Sequence, residues 1–194
     1  MLFGRLNGKC QLIRLAELIR ERNKTSAEIA ALIGRPAIFG HVGEYLASSI
    51  FDIQLNESAS SKGTDGHFRA GPLTGKSVNV KWYGKQESIL DINPRWLPDF
   101  YLVMTGPKTS AASSRGTTRP WLIEHVYLFN AKMLVSELSN RKLKVGIATS
   151  VRQCYWKDAE IYPHQTNQEY ILSEDQNKKL RQFGPGEMTC FKKL

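Results

Sequence analysis

The sequence predicts an α/β domain preceded by a helical N-terminal arm. Three observations carry this expectation: apolar residues at helical spacing in the N-terminal quarter, short apolar or alternating runs bounded by turn residues from Phe51 onward, and a strand-helix-strand pattern between Trp121 and Thr149. At 194 residues the chain can bury one good core with a small appendage, and it is too short for two full-sized domains.

Leu12, Leu15, Ala16 and Ile19 recur at helical spacing, which predicts a helix over residues 11–23. Thr25 and Glu28 form a capping-box pattern that starts a second helix, stopped by Gly34 and Pro36, so the first 36 residues read as a helical hairpin or arm. A third helix begins near His41, with Val42, Leu46 and Ile50 on one side and Glu44 and Ser48 on a different face. Extended segments are expected at 51–55, 78–83 and 100–104. Residues 121–129 read as a strand, 132–140 as a helix and 144–149 as a strand, a β-α-β arrangement. Beyond Pro163 the chain turns polar, with one helix over 173–183. The expected organisation is a helical arm over 1–36, an α/β core over 37–170 and a basic C-terminal helix and tail over 171–194.

Lys and Arg number 27 against 18 Asp and Glu, a net charge of +9. Such an excess favours a polyanionic partner through counterion release, nucleic acid above all, or else serves solubility alone. Between residues 62 and 86 the bases are Lys62, Arg69, Lys76, Lys81 and Lys85, and Asp65 is the only acid. From 104 to 121 Lys108, Arg115 and Arg119 stand in a Ser/Thr/Gly-rich stretch without an acid, either a phosphate-following loop or an ordinary solvated one. Cys10, Cys154 and Cys190 are odd in number and widely spaced, which reads as reduced structural thiols. No apolar stretch reaches bilayer length and no leader pattern opens the chain, so a cytoplasmic protein without a membrane partner is expected.

One constellation could carry chemistry. Asp65 lies in the turn-like Gly63-Thr64-Asp65-Gly66, and thirteen residues separate it from Asn79 in the strand pattern Ser77-Val78-Asn79-Val80-Lys81-Trp82-Tyr83. Period-two geometry puts Asn79 and Lys81 on one face and Val78, Val80 and Trp82 on the other. Phosphodiester hydrolysis needs a positioned water, neutralised phosphate charge and a stabilised leaving oxygen, all of which divalent metal ions can supply. One carboxylate, one further oxygen ligand and an outer carboxylate suffice for magnesium, with a lysine beside them. Taken singly these residues are ordinary: Asp-Gly is a turn pair, a helix Glu is usually solvated and a strand Lys usually lies at an edge. His67 would share a face with Asp65 if the strand continues there, as a phosphate contact or a plain surface residue. Asp91 and Asp99 are set aside, Asp99 as a residue that hydrogen-bonds a strand end. The four tryptophans read as core or partly buried.

A helix Glu, an Asp after a hairpin and an x-Lys pair on the next strand together resemble the PD-(D/E)XK superfamily of restriction-like nucleases, over residues 40–106. The resemblance implies a restriction endonuclease-like core, in which a mixed central sheet is flanked by helices. It implies magnesium or manganese held by Asp65, Asn79 and Glu44, with Lys81 assisting the water. Glu44, Asp65, Asn79 and Lys81 are then the catalytic set of a metal-dependent endonuclease cutting DNA, of restriction type, as a monomer or homodimer. The chain departs from the family at Asn79, where an Asp or Glu is usual; a neutral amide forfeits a charge and weakens metal binding. Residues 41–107 also resemble a bacterial domain family of unassigned function. Two alternatives stay open: a catalytically impaired nuclease fold that binds nucleic acid or a partner, and a helix-turn-helix running from Glu28 to Leu46.

Overall fold

The computed structural model describes residues 8–57, 63–108 and 120–185. The chain divides into two compact units, Met1–Val42 and Gly43–Leu194. In the first, one continuous helix, α1 (Gly8–Ile33), stands in place of the expected hairpin. Thr25, expected to cap a second helix, sits inside α1 and its hydroxyl donates to the Glu21 carbonyl at 3.1 Å. That bond to the preceding turn satisfies the side chain without breaking the helix. Arg14 pairs with Glu17 and Glu21 along the same face. The helix stops at the expected place, where Gly34 takes a φ of +68° and Pro36 follows.

Helix α2 (Phe39–Phe51) carries the chain into the second unit. There follow β1 (Ile53–Leu55), β2 (Gly66–Phe68), β3 (Ser77–Tyr83), β4 (Ile89–Leu90), β5 (Phe100–Thr105), β6 (His125–Asn130), α3 (Ala131–Asn140), β7 (Thr149–Ser150), α4 (Gln153–Ala159), β8 (Glu160–Tyr162) and α5 (Glu174–Arg181). A mixed six-stranded sheet runs in the order β1-β2-β3-β5-β6-β8 and is flanked by helices, the α/β architecture the sequence predicts. β3 and β5 are parallel and every other neighbour in it is antiparallel.

The expected β-α-β unit does not form. Of residues 144–149 only Thr149 is extended, and β7 pairs with β4 in a separate two-stranded ladder. The reason is local: Thr149 Oγ1 bonds both the N–H and the carbonyl of Gly146, and Ala148 has a φ of 55°, so the chain turns where a strand would have to run. Its place beside β6 goes to β8.

The register of β3, β5 and β6 sorts their side chains onto two faces. On one, α2 lies against β3 so closely that a Cβ on Gly43 would stand 3.0 Å from Trp82 Cβ. On the same face Tyr170 packs its ring against Phe51 and Phe68. On the other, Tyr101, Val103, Tyr127 and Phe129 meet Leu134 and Leu138 of α3 and Trp156 of α4 in a buried cluster. Helix α5 is capped by Ser173 and Gln176, buries Leu180, and sends Gln176 Nε2 to the Ile50 carbonyl at 3.0 Å. It is therefore built into the second unit.

Asp99 does what its position at a strand start suggests. Its carboxylate accepts from the N–H and the hydroxyl of Ser77 at 2.9 and 2.8 Å, and its own N–H donates back to Ser77 Oγ at 2.8 Å. This clasp ties the starts of the two parallel strands, which no hairpin can connect. The Ser77 N–H bond foremost holds the Asp99 carboxyl below its ordinary value. A depressed carboxylate contributes stability that is present above its unfolded pKa, about 4, and is lost as pH falls through the folded one. Acid titration followed by circular dichroism should show Asp99→Asn unfolding with a shallower dependence on pH below about 4 than the parent protein.

Among the described residues no helix is long and apolar enough to cross a membrane. Cys10 and Cys154 are free thiols, as expected of reduced cysteines, and both are exposed, which leaves them little structural role, while Cys190 lies outside the described residues.

Candidate active site

The site is built around β3. Gly66 of β2 pairs with Val78, so Asp65, one residue earlier, stands beside Asn79. The Asp65 N–H donates to the Val78 carbonyl at 2.9 Å, and the Val80 N–H donates to Asp65 Oδ2 at 2.7 Å. The carboxylate thereby continues the β2–β3 ladder where the main chain of the turn leaves it. Asn79 is 8% exposed and its Oδ1 is buried without a hydrogen-bond partner among the described residues. Leaving a buried amide oxygen unpartnered costs about 1–3 kcal/mol, so a fold keeps one chiefly where a ligand or water engages it. Lys81 follows on the same face, half-buried, and makes no ion pair with a described residue.

Three of the four expected catalytic residues, Asp65, Asn79 and Lys81, thus meet at one strand. Glu44 arrives differently. It is half-buried on α2, whose neighbouring Gly43 packs on Trp82, so β3 stands between that helix and the face bearing Asn79 and Lys81. Helix α2 buries Leu46, Ala47, Ile50 and Phe51, which commits it to scaffolding and leaves little of a recognition helix. No group of three or more His, Cys, Asp and Glu side chains converges among the described residues.

Asn79 and Lys81 line a cavity of about 350 Å³ whose other walls come from residues that no sequence pattern joins to them. Asp91, Trp96 and Ile147 are among its lining residues, and Tyr101 lies beside Asn79 in the sheet register. Asp91 Oδ1 accepts from the Ala148 N–H at 2.7 Å, and its own N–H donates to the Tyr83 hydroxyl at 3.1 Å. Burial pushes the Tyr83 phenol up to about 12, so it stays protonated and neutral. Tyr101 is likewise raised by burial. The sequence signal that points here is the turn Asn93-Pro94-Arg95-Trp96, whose tryptophan, expected as core or partly buried, is 48% exposed.

The expected nucleic-acid contacts divide. Lys85 is 8% exposed, which removes it from the solvated basic surface. Arg69 and Lys76 are exposed, but Arg69 is paired with Asp52 and Lys76 Nζ lies 3.9 Å from Asp99. Lys108 is exposed at the bridge to Gln86. Lys62, Arg115 and Arg119 lie outside the described residues. His67 is exposed in β2, opposite Ser77 and hence on the Asn79 face.

Comparison with known proteins finds no matching family model and no matching curated protein.

Proposed function

We propose that the second unit is a magnesium- or manganese-dependent endonuclease domain acting on DNA, with the Asp65, Asn79 and Lys81 side chains as its working groups. The observation that carries this reading is the buried, unpartnered Asn79 Oδ1 beside a carboxylate already fixed by a main-chain N–H. Carboxylate and amide oxygens are the donors a hard divalent cation takes, so the residues present fit such an ion. When bound, the metal supplies Lewis acidity toward the phosphate and its attacking water. Asp65 brings the only formal negative charge of the three, and Asn79 brings an oxygen already stripped of solvent. Lys81 holds an ammonium toward the phosphate, where it balances charge that grows in the transition state. Glu44 takes part in this scheme only from the helix behind β3.

Incubation of the protein with plasmid and magnesium tests the reading, and no cleavage with any substrate or metal would overturn it. Asn79→Asp supplies the charge that this position otherwise lacks. We expect it to tighten magnesium binding by roughly tenfold, read by calorimetry, while the added charge lowers stability in the absence of metal.

The neutral Asn79 favours one second reading, a nuclease-like domain that binds nucleic acid without cutting. Salt-dependent DNA binding without magnesium binding, and with cleavage gained only in Asn79→Asp, would select it.

A further inference from the structure

The longest element of the first unit keeps its apolar side chains in solvent. Helix α1 runs for 26 residues, about 39 Å, and among its described residues no side chain is buried. Leu12, Leu15, Leu18, Ile19 and Leu32 are between 45% and 74% exposed. Helices in water owe most of their stability to the packing of an apolar face, so a helix that leaves its leucines and isoleucines exposed offers that face to a partner.

The face has the period of a seam between two helices. Leu12, Leu15 and Ile19 open a three-four spacing that continues through Arg22 and Ser26 to Ile29 and Ile33, a core row sustained over three heptads. The positions flanking this row carry Ala16, Leu18, Asn23, Thr25, Ala30 and Leu32, none of them charged. From Leu12 to Ile33 every charged residue other than Arg22 lies on the outward positions, where Arg14 pairs with Glu17 and Glu21 at 3.1 and 3.7 Å. That mixture of acids and bases differs from the cationic polar face with which an amphipathic helix lies on a lipid surface.

The row is also symmetric about its middle. Counting outward from Lys24, Ile19 matches Ile29 and Leu15 matches Ile33, while Arg22 matches Ser26 at the centre. A second copy of α1 running in the opposite direction therefore sets Leu15 against Ile33 and Ile19 against Ile29, with Leu18 near Leu32 and Ala16 near Ala30 along the flanks. Arg22 then faces a serine hydroxyl, which can accept from its guanidinium. Two parallel copies in register would instead place Arg22 against Arg22, a like-charge pair inside an apolar seam.

We propose that α1 pairs with α1 of a second copy as a two-stranded antiparallel coiled coil, making the chain a homodimer through its first unit. The pairing concerns α1 alone and does not depend on the nuclease reading of the second unit.

Sedimentation equilibrium on the full chain tests it, with a dimer expected at micromolar concentration. Ile19→Lys, at an exposed position where the monomer loses no packing, should weaken the dimer by about a hundredfold or more and lower the helical circular-dichroism signal as α1 frays. Ile13→Lys changes a comparably exposed isoleucine, 54% against 47%, on the outward side, and should leave the dimer intact. Arg22→Leu removes the polar layer and should tighten the dimer by about tenfold or more. Orientation is read with a short bismaleimide cross-linker in a Cys10→Ser, Cys154→Ser and Cys190→Ser background. Mixed Ile19→Cys and Ile29→Cys chains should be joined to each other. Chains bearing Ile19→Cys alone, with the two thiols about 15 Å apart along an antiparallel pair, should stay separate. A chain that remains monomeric well above micromolar concentration, a dimer that survives Ile19→Lys or is lost equally in Ile13→Lys, cross-linking of Ile19→Cys chains to themselves, or α1-dependent binding of the monomer to anionic vesicles would each overturn the proposal.

Discussion

Lys81→Ala is expected to lower magnesium-dependent cleavage by about a hundredfold or more while leaving the unfolding midpoint almost unchanged. Lys81 makes no ion pair with a described residue, so removing its ammonium leaves no buried partner uncompensated, and partly exposed substitutions of this kind fall within about 0.5 kcal/mol. A donor aimed at developing charge is worth about a hundredfold to a thousandfold in rate. Asp65 behaves otherwise, because its carboxylate also accepts the Val80 N–H at 2.7 Å. Asp65→Ala should lose cleavage and also about 1–3 kcal/mol of stability through the orphaned amide. Asp65→Asn, which keeps an acceptor of the same shape, should recover most of the stability and none of the activity. Single-turnover cleavage alongside chemical denaturation separates the cases. Cleavage unaffected by either Lys81→Ala or Asp65→Asn would remove both residues from the mechanism.

Trp156→Ala is expected to be the most damaging core substitution, at about 3–5 kcal/mol. The indole is fully buried, lies edge-on to Tyr127 and Phe129 with centroids 4.8 and 5.0 Å away, and donates its N–H to the Val151 carbonyl at 3.2 Å. Deleting it opens a cavity in the cluster that joins α3 and α4 to the sheet and leaves a carbonyl without its donor. Since domains of this kind are stable by only about 5–15 kcal/mol, Trp156→Ala should unfold at markedly lower denaturant concentration. Ile147→Ala, at a position 91% exposed, serves as the control that should leave the midpoint close to that of the parent protein.

What could be read ahead of the structure was whatever short-range chemistry decides. The Val78, Val80 and Trp82 alternation defines β3 because one side of a strand must be apolar to be buried, and the same alternation puts Asn79 and Lys81 together. Gly34 and Pro36 end α1 by backbone geometry alone. The Asp99 strand-end role was legible as well, since a short acceptor at the start of an apolar run has few other uses.

Misreadings arose where two local signals competed. Thr25 fits a cap and also fits a helix interior when its hydroxyl can reach Glu21, and only the hydrogen bond actually made distinguishes them. Residues 144–149 carry an apolar pattern, but the Thr149 bonds to Gly146 make a turn more favourable than extension. Lys85 looked like part of a basic surface, yet the packing of neighbouring segments buries it.

By itself, then, the sequence determined the α/β class, the strand that carries Asn79 and Lys81, and the candidate roles of Asp65 and its neighbours, since these follow from periodicity and from the donors each residue owns. The tertiary structure alone decided that Asp65 spends one oxygen on the Val80 N–H, that Asn79 Oδ1 is buried unpartnered, that Glu44 rides a helix on the far side of β3, and that Asp91, Trp96 and Ile147 wall the cavity. The physical reason is the same in each case. Burial and hydrogen-bond partners depend on which distant segments come to lie against a strand, and parallel pairing of β3 with β5 brings the intervening loop and the loop before β7 over Asn79 through contacts that no local spacing encodes.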